Sequence, residues 1–185
     1  AFRDRVQSLG FDPSDDEIVR AFDEFKKLAD RKKELFDADI EAIIMHTGGK
    51  QPGPWSLADL SFSSSKNGGA KAEVTLMHND GKSVTTSAQG DGPVESVFIA
   101  LEQATTVTLK LKKFQVNSVT VGEDAQGEVT ATAEYNGDSY RGHGVSTDIV
   151  EAGALAYLEV INRISRRLES GTLSTGGDKT KTANI

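Results

Sequence analysis

Residues 127–144 read GEVTATAEYNGDSYRGHG. Val129, Ala131 and Ala133 alternate with Thr130, Thr132 and Glu134, the period of a strand with one buried face. Asn136-Gly137 then supplies the residue types that tolerate positive φ in a tight hairpin turn. The same design stands about 55 to 59 residues upstream. There AEVTLMH, NDGK and SVTTSA (72–88) give strand, turn and return strand, and Glu73-Val74-Thr75 is echoed by Glu128-Val129-Thr130.

The repeat extends outward from both hairpins. WSLADLSFS (55–63) places Trp55, Leu57, Leu60 and Phe62 on or near one face, with the spacing slipping once as at a β-bulge. FQVNSVTVG (114–122) takes its place in the second copy. Downstream, the stretches from Pro93 to Ala104 and from Ser146 to Ile164 have helical spacing. Glu151 stands where the first copy has Glu95, and Ala156 where it has Ala100. TTVTLKLKK (105–113) joins the copies. A three-strand meander needs its apolar face covered, and an amphipathic helix after it does so. The expected fold class is α+β: a small N-terminal helical subdomain followed by two pseudo-symmetric βββα units, packed as a pseudo-two-fold pair.

The helical subdomain comes from residues 1–46. Phe2, Val6 and Leu9 fall in helical register up to Gly10, a plausible C-terminal glycine. Ser14 followed by Glu17 has capping-box spacing. Ile18, Phe22, Phe25 and Leu28 or Ala29 then form one stripe, and Ile40, Ile43 and Ile44 a shorter one. HTGGKQPGPW (46–55) breaks the pattern with glycines and prolines. The domain boundaries expected are therefore 1–46, a Gly/Pro linker at 47–54, the paired units at 55–168 and a flexible, apolar-poor tail at 169–185. The chain opens without methionine and already in helical register, as a piece of a longer protein would.

Composition narrows the function. The 185 residues are 37% hydrophobic, 26% charged and carry a formal net charge of −7. An acidic body attracts neither nucleic acid nor an anionic membrane surface. There is no cysteine, which excludes disulfides, thiolate metal sites and cysteine nucleophiles. No apolar run approaches a membrane span and no leader pattern opens the chain, so a cytoplasmic setting is expected. His46, His78 and His143 stand in different elements without metal-ligand spacing. No cofactor is expected in this chain.

AQGDGPVESVFIALEQA (88–104) has the look of a phosphate loop, but neither GxxxxGK[ST] nor GxGxxG is present. What remains is helix-terminus chemistry. Pro93 suits the first helical position, and Glu95 lies in the first turn. In the second copy, Asp148 and Glu151 have capping-box spacing beside Ser146 and Thr147. Both helix starts offer backbone N–H groups to a small carboxylate, and the nearby acids suit an ammonium. A free amino acid satisfies both. Two well-capped helices with no ligand satisfy the pattern too.

AFRDRVQSLGF (1–11), IVRAFDEFKKLADRKK (18–33) and FDADIEAI (36–43), with GDGPV (90–94), DAQGEV (124–129) and GVSTDIVEA (144–152), together resemble the C-terminal portion of the 2-isopropylmalate synthases. The resemblance spans nearly the whole chain except its tail. It implies a parent enzyme that condenses acetyl-CoA with 2-oxoisovalerate in a Claisen reaction of leucine biosynthesis, on a TIM barrel of about 250 residues that holds a divalent metal. The barrel is not in this sequence, so the chain corresponds to linker subdomains and a regulatory domain, with no catalytic residue of its own. It implies further a homodimer with leucine bound near its two-fold axis as feedback inhibitor. By motif, Asp91, Gly92, Pro93 and Val94 would form the helix-start loop beside the amino acid. Leu111, Phe114 and Ser118 would shape the pocket, Ala125 and Gly127 would let the ligand come close, and Val145 and Ser146 would close it. The alternatives are a purely structural dimerisation domain, or the isoleucine-sensing domain of a citramalate synthase.

Overall fold

The computed structural model describes residues 1–47, 53–118 and 126–169 with Gly171 and Leu173, and only the backbone of Ala38, Met45, His46 and Ser118. Most of the expected linker, Ala125 and nearly all of the expected tail lie outside the described residues. The chain divides into two compact units, Ala1–Pro52 and Gly53–Ile185.

The first unit is helical: α1 (Phe2–Ser8), α2 (Asp15–Arg31) and α3 (Asp37–Thr47). Ser14 caps α2 as its spacing predicts. The Glu17 N–H donates to Ser14 Oγ at 3.3 Å, and the Ser14 N–H donates to the Glu17 carboxylate at 2.8 Å. The core gathers Val6, Phe11, Ile18, Ala21, Ile40 and Ile44. The buried seam of α2 therefore runs through Ile18 and Ala21, with Phe25 packed beside them, and differs from the expected stripe at one position. Phe22 is 41% exposed. Its ring rests against Phe2 at 5.4 Å, under the Lys26 ammonium at 5.0 Å, so a small residue and not the aromatic takes the inner place.

The second unit holds two three-stranded antiparallel sheets in the orders β1-β2-β3 and β4-β5-β6. The strands are β1 (Trp55–Ser65), β2 (Gly69–His78), β3 (Ser83–Gly90), β4 (Lys110–Ser118), β5 (Gly127–Tyr135) and β6 (Asp138–Ser146). Helix α4 (Pro93–Thr105) follows the first sheet and α5 (Ile149–Glu169) the second. The α+β class and the paired βββα units are those read from the sequence. The β1 bulge falls between Leu57 and Asp59. A matching slip occurs in β4, between Leu111 and Lys113, so both first strands are bent at equivalent places. Asn136 and Gly137 take φ of 51° and 81° in the second hairpin turn.

One continuous core joins the two copies. Val74 and Leu76 from β2, Val97 and Leu101 from α4, and Tyr157, Ile161 and Ile164 from α5 are all essentially inaccessible. The Phe98 and Tyr157 rings stack between the helices with centroids 3.9 Å apart. Tyr157 donates its hydroxyl to Glu102 at 3.1 Å, and the Leu109 N–H donates to the other oxygen of that carboxylate at 3.2 Å. Burial raises the pKa of both Glu102 and Tyr157, which keeps the phenol neutral as the donor of this hydrogen bond. Phe98 pairs with Tyr157, while farther along Thr105 and Ser165 line one common cleft. The two helices thus run side by side in the same sense.

The copies differ in how closely helix and sheet approach. On β6, a Cβ at Gly142 would lie 1.9 Å from the Ala156 carbonyl oxygen, and one at Gly144 2.1 Å from that of Ala152. Helix α5 therefore rests its backbone on that strand, through Ala152 and Ala156. The same helix closes the outer edge of β6. The His143 N–H donates to Glu159 at 3.0 Å, and Arg163 Nη1 donates to the Arg141 carbonyl at 2.6 Å. Side chains thereby occupy edge groups that would otherwise be free to pair with another strand.

Candidate functional site

The connections from sheet to helix form one end of the second unit. In the first copy the chain turns from Gly90 through Asp91 and Gly92 into α4. Gly92 is the N-cap residue, extended at φ −143° and ψ 171°, and no side chain caps the helix there. The Asp91 N–H donates to the Glu95 carboxylate at 2.6 Å, and the Ser96 N–H donates to the Gly92 carbonyl at 3.0 Å. The N–H groups of Val94 and Glu95 meet no acceptor among the described residues. A Cβ on Gly92 would touch nothing within 4 Å, so space stands open above this turn. Gly90 is the constrained residue, because a Cβ there would lie 2.9 Å from the Ser96 nitrogen.

The second copy is closed. Asp148 Oδ1 accepts from the Val150 N–H at 2.8 Å and the Glu151 N–H at 3.2 Å. Ser146 Oγ accepts from the Asp148 N–H and donates to Glu151 at 2.9 Å. The capping-box spacing thus yields a relay through Ser146, with Glu151 bonded to that hydroxyl. Unsatisfied first-turn N–H groups carry the positive end of the helix dipole. Of the two helix starts in the second unit, only that of α4 leaves its second and third N–H groups unmet among the described residues.

Strand register fixes the other expected site residues. Gly127 pairs with Ser118 on one side and Ser146 on the other, so three of them share one rung across β4-β5-β6. Gly127 is buried under Ile149, whose Cδ1 would lie 2.1 Å from an added Cβ. That closeness is the reason for glycine at this position. Phe114 sits farther along, paired with Ala131, and its ring fills the space beside Gly153 and Phe98. Leu111 pairs with Ala133 near the opposite end of β4, roughly 20 Å along the strand from Ser118. Leu111 and Val145 are 41% and 39% exposed. The structure gathers Ser118, Gly127, Val145 and Ser146 at the helix-start end, with Phe114 behind them, and leaves Leu111 away from them within one protomer. Ala125 lies outside the described residues.

Sequence reading missed Glu95 as the acceptor for Asp91 and Ile149 as the cover over Gly127. Both partners are adjacent in the fold through turns whose geometry the residue types alone do not set. His78 lies 3.1 Å from Asp80 and 3.4 Å from Glu169, and His143 lies 2.9 Å from Glu128. Among the described residues no group of three or more metal-ligating side chains converges. Among those residues, too, no helix is long and apolar enough to cross a membrane.

Two pseudo-symmetric βββα units around a shared helix pair, with one helix start capped and the other open, define a paired-repeat α+β module. Residues 34–165 match the family of the LeuA allosteric (dimerisation) domain, and this chain belongs to it. Over 167 residues it is 44% identical to a 2-isopropylmalate synthase of Pyrococcus furiosus, covering 90% of this chain and 33% of that protein. It is 41% identical over 165 residues to the 2-isopropylmalate synthase of Rhodopirellula baltica, covering 89% and 31%. For that of Stenotrophomonas maltophilia the identity is 39% over 171 residues, covering 92% and 32%. The chain therefore spans about a third of the length of these relatives.

Proposed function

We propose that this chain is the regulatory portion of a 2-isopropylmalate synthase and binds leucine at the open start of α4, as feedback inhibitor of leucine biosynthesis in the cytoplasm. The supporting observation is the asymmetry of the two helix starts, in which α5 is capped by Asp148 and α4 by no side chain. A leucine carboxylate takes the first-turn N–H groups of α4. The Asp91 carboxylate faces the ammonium group. Val94 and Val145 supply apolar surface for the isobutyl side chain. The pocket needs neither cofactor nor metal, and the chain catalyses nothing by itself. Two copies associate through this domain. Inhibition of the distant reaction then requires that leucine bind two states of the whole enzyme unequally.

Parallel calorimetric titrations of the 185-residue chain with leucine, isoleucine and valine test the reading. Leucine should saturate at the lowest concentration, on a species of twice the 19.8 kDa chain mass. An apolar pocket separates such side chains by only about 1–3 kcal/mol, so all three require measurement. Preference for isoleucine would assign the domain to a citramalate synthase. Absence of heat with every one of them, on folded protein, would leave a structural dimerisation domain.

A further inference from the structure

At the end of the second unit opposite the helix starts lies a cleft of about 750 Å³, within the range of small-molecule sites. The C-terminal ends of both parallel helices open into it, through Thr105 of α4 with its C-cap Thr106, and through Ser165 and Glu169 of α5. Such ends carry partial negative charge; α4 has no basic residue in its last turn to offset it, whereas α5 carries Arg166 and Arg167 in its own. Glu134 and Glu169 add two carboxylates against the single lysine of the lining, Lys110. Lys112 meets Glu134 at 3.3 Å. Among the described residues Glu169 has only the 3.4 Å contact with His78, long for a hydrogen bond. On the wall, the Trp55 indole stands edge-on to His78 with centroids 4.6 Å apart. Ser165 is only 7% exposed, lines this cleft, and has a hydroxyl with no hydrogen-bond partner among the described residues.

We propose that this cleft is a second ligand site, selective for a small organic cation of the alkylammonium or alkylguanidinium class. The cationic head lies between Glu169 and the helix ends and bonds Ser165, while its alkyl body lies against Trp55. Negative potential from the uncompensated end of α4 and the Glu169 carboxylate selects the charge, and the indole covers the alkyl body. The site is independent of the leucine pocket.

Trp55 is the chain's one tryptophan, so its emission reports on the cleft directly. The full 185-residue chain is titrated with n-butylguanidinium, with n-butylurea as the neutral counterpart and butanoate as the anionic one. The expected result is a saturable change with the guanidinium alone, unaltered by saturating leucine. Glu169→Gln should weaken it roughly tenfold and Ser165→Ala several-fold, as loss of charge-assisted and neutral hydrogen bonds implies. Asp16→Asn on α2 should change nothing. Thermal unfolding of each variant verifies that it is folded. A response that stays linear to about 50 mM, beyond any useful affinity, would overturn the proposal. So would an equal response to the urea or the carboxylate, or a guanidinium response indifferent to both Glu169→Gln and Ser165→Ala.

Discussion

The Phe114 ring lies 3.3 Å from the point a Cβ on Gly153 would occupy. A strand of the second sheet is thereby fitted to a helical position that carries no side chain. Glycine inside a helix costs about 1 kcal/mol relative to alanine, and here the ring takes the volume alanine would need. Gly153→Ala should therefore gain little or nothing in the native background. With Phe114→Ala present it should recover about 1 kcal/mol. A double-mutant cycle from urea unfolding measures the difference, and strictly additive changes would show that ring and glycine are uncoupled.

Gly142 and Gly144 leave far less room. An added Cβ would meet helix backbone, which cannot rotate aside. Gly144→Ala should cost more than about 3 kcal/mol, beyond ordinary overpacking. Gly81→Ala offers a contrast, because a Cβ there meets nothing within 4 Å although φ is +95°. Its smaller penalty would come from backbone strain alone. Comparable midpoint shifts for the two variants would contradict the close contact of α5 with β6.

Gly92→Ser separates stability from binding at the start of α4. The backbone there is extended and the space is open. Serine should thus cap the helix and raise stability by roughly a few tenths of a kcal/mol. Its hydroxyl would also compete for the N–H groups assigned to the leucine carboxylate. A more stable protein with several-fold weaker leucine binding is expected. Tighter binding in calorimetry would move the carboxylate elsewhere.

Glu159 gives a pH dependence with a defined sign. Burial holds its pKa above the ordinary value of 4.5, although the His143 N–H, Arg163 and Arg166 pull the other way. The folded state then binds its proton more tightly than the unfolded chain does. That contribution to stability is complete below the unfolded pKa and is lost as pH rises through the raised folded one. Glu159→Gln keeps an acceptor for His143 without ionising. Its stability relative to the native chain should grow as pH rises from the ordinary carboxyl value of 4.5 through the raised folded one. Parallel stability curves for the two proteins would show that this carboxyl titrates normally.

The repeat was legible because its signals are local. Asn136-Gly137 fixes a turn, Val129, Ala131 and Ala133 fix a face, and each helix follows within a few residues. The slip in β1 was visible in the spacing of Leu57 and Leu60. Its counterpart in β4 was hidden, since Leu111, Lys112 and Lys113 offer no apolar pattern to interrupt. Ser14 and Asp148 announced their caps for the same local reason. Phe22 misled, because helical spacing alone does not say whether Ala21 or the phenyl ring turns inward. The RGHG stretch gave no hint that two of its glycines receive a helix backbone, as the demand comes from Ala152 and Ala156 across the fold. The cleft was wholly unreadable. Trp55, Glu134 and Ser165 converge there only after both copies have packed.

The shared sense of α4 and α5 also gives the second unit an electrical direction. Antiparallel neighbours would cancel their dipoles at both ends. Here the two fields add, positive toward the helix starts and negative toward the helix ends. Mobile salt screens both poles together. Raising ionic strength should therefore weaken guests of opposite charge at opposite poles in step, without any conformational signal passing between them.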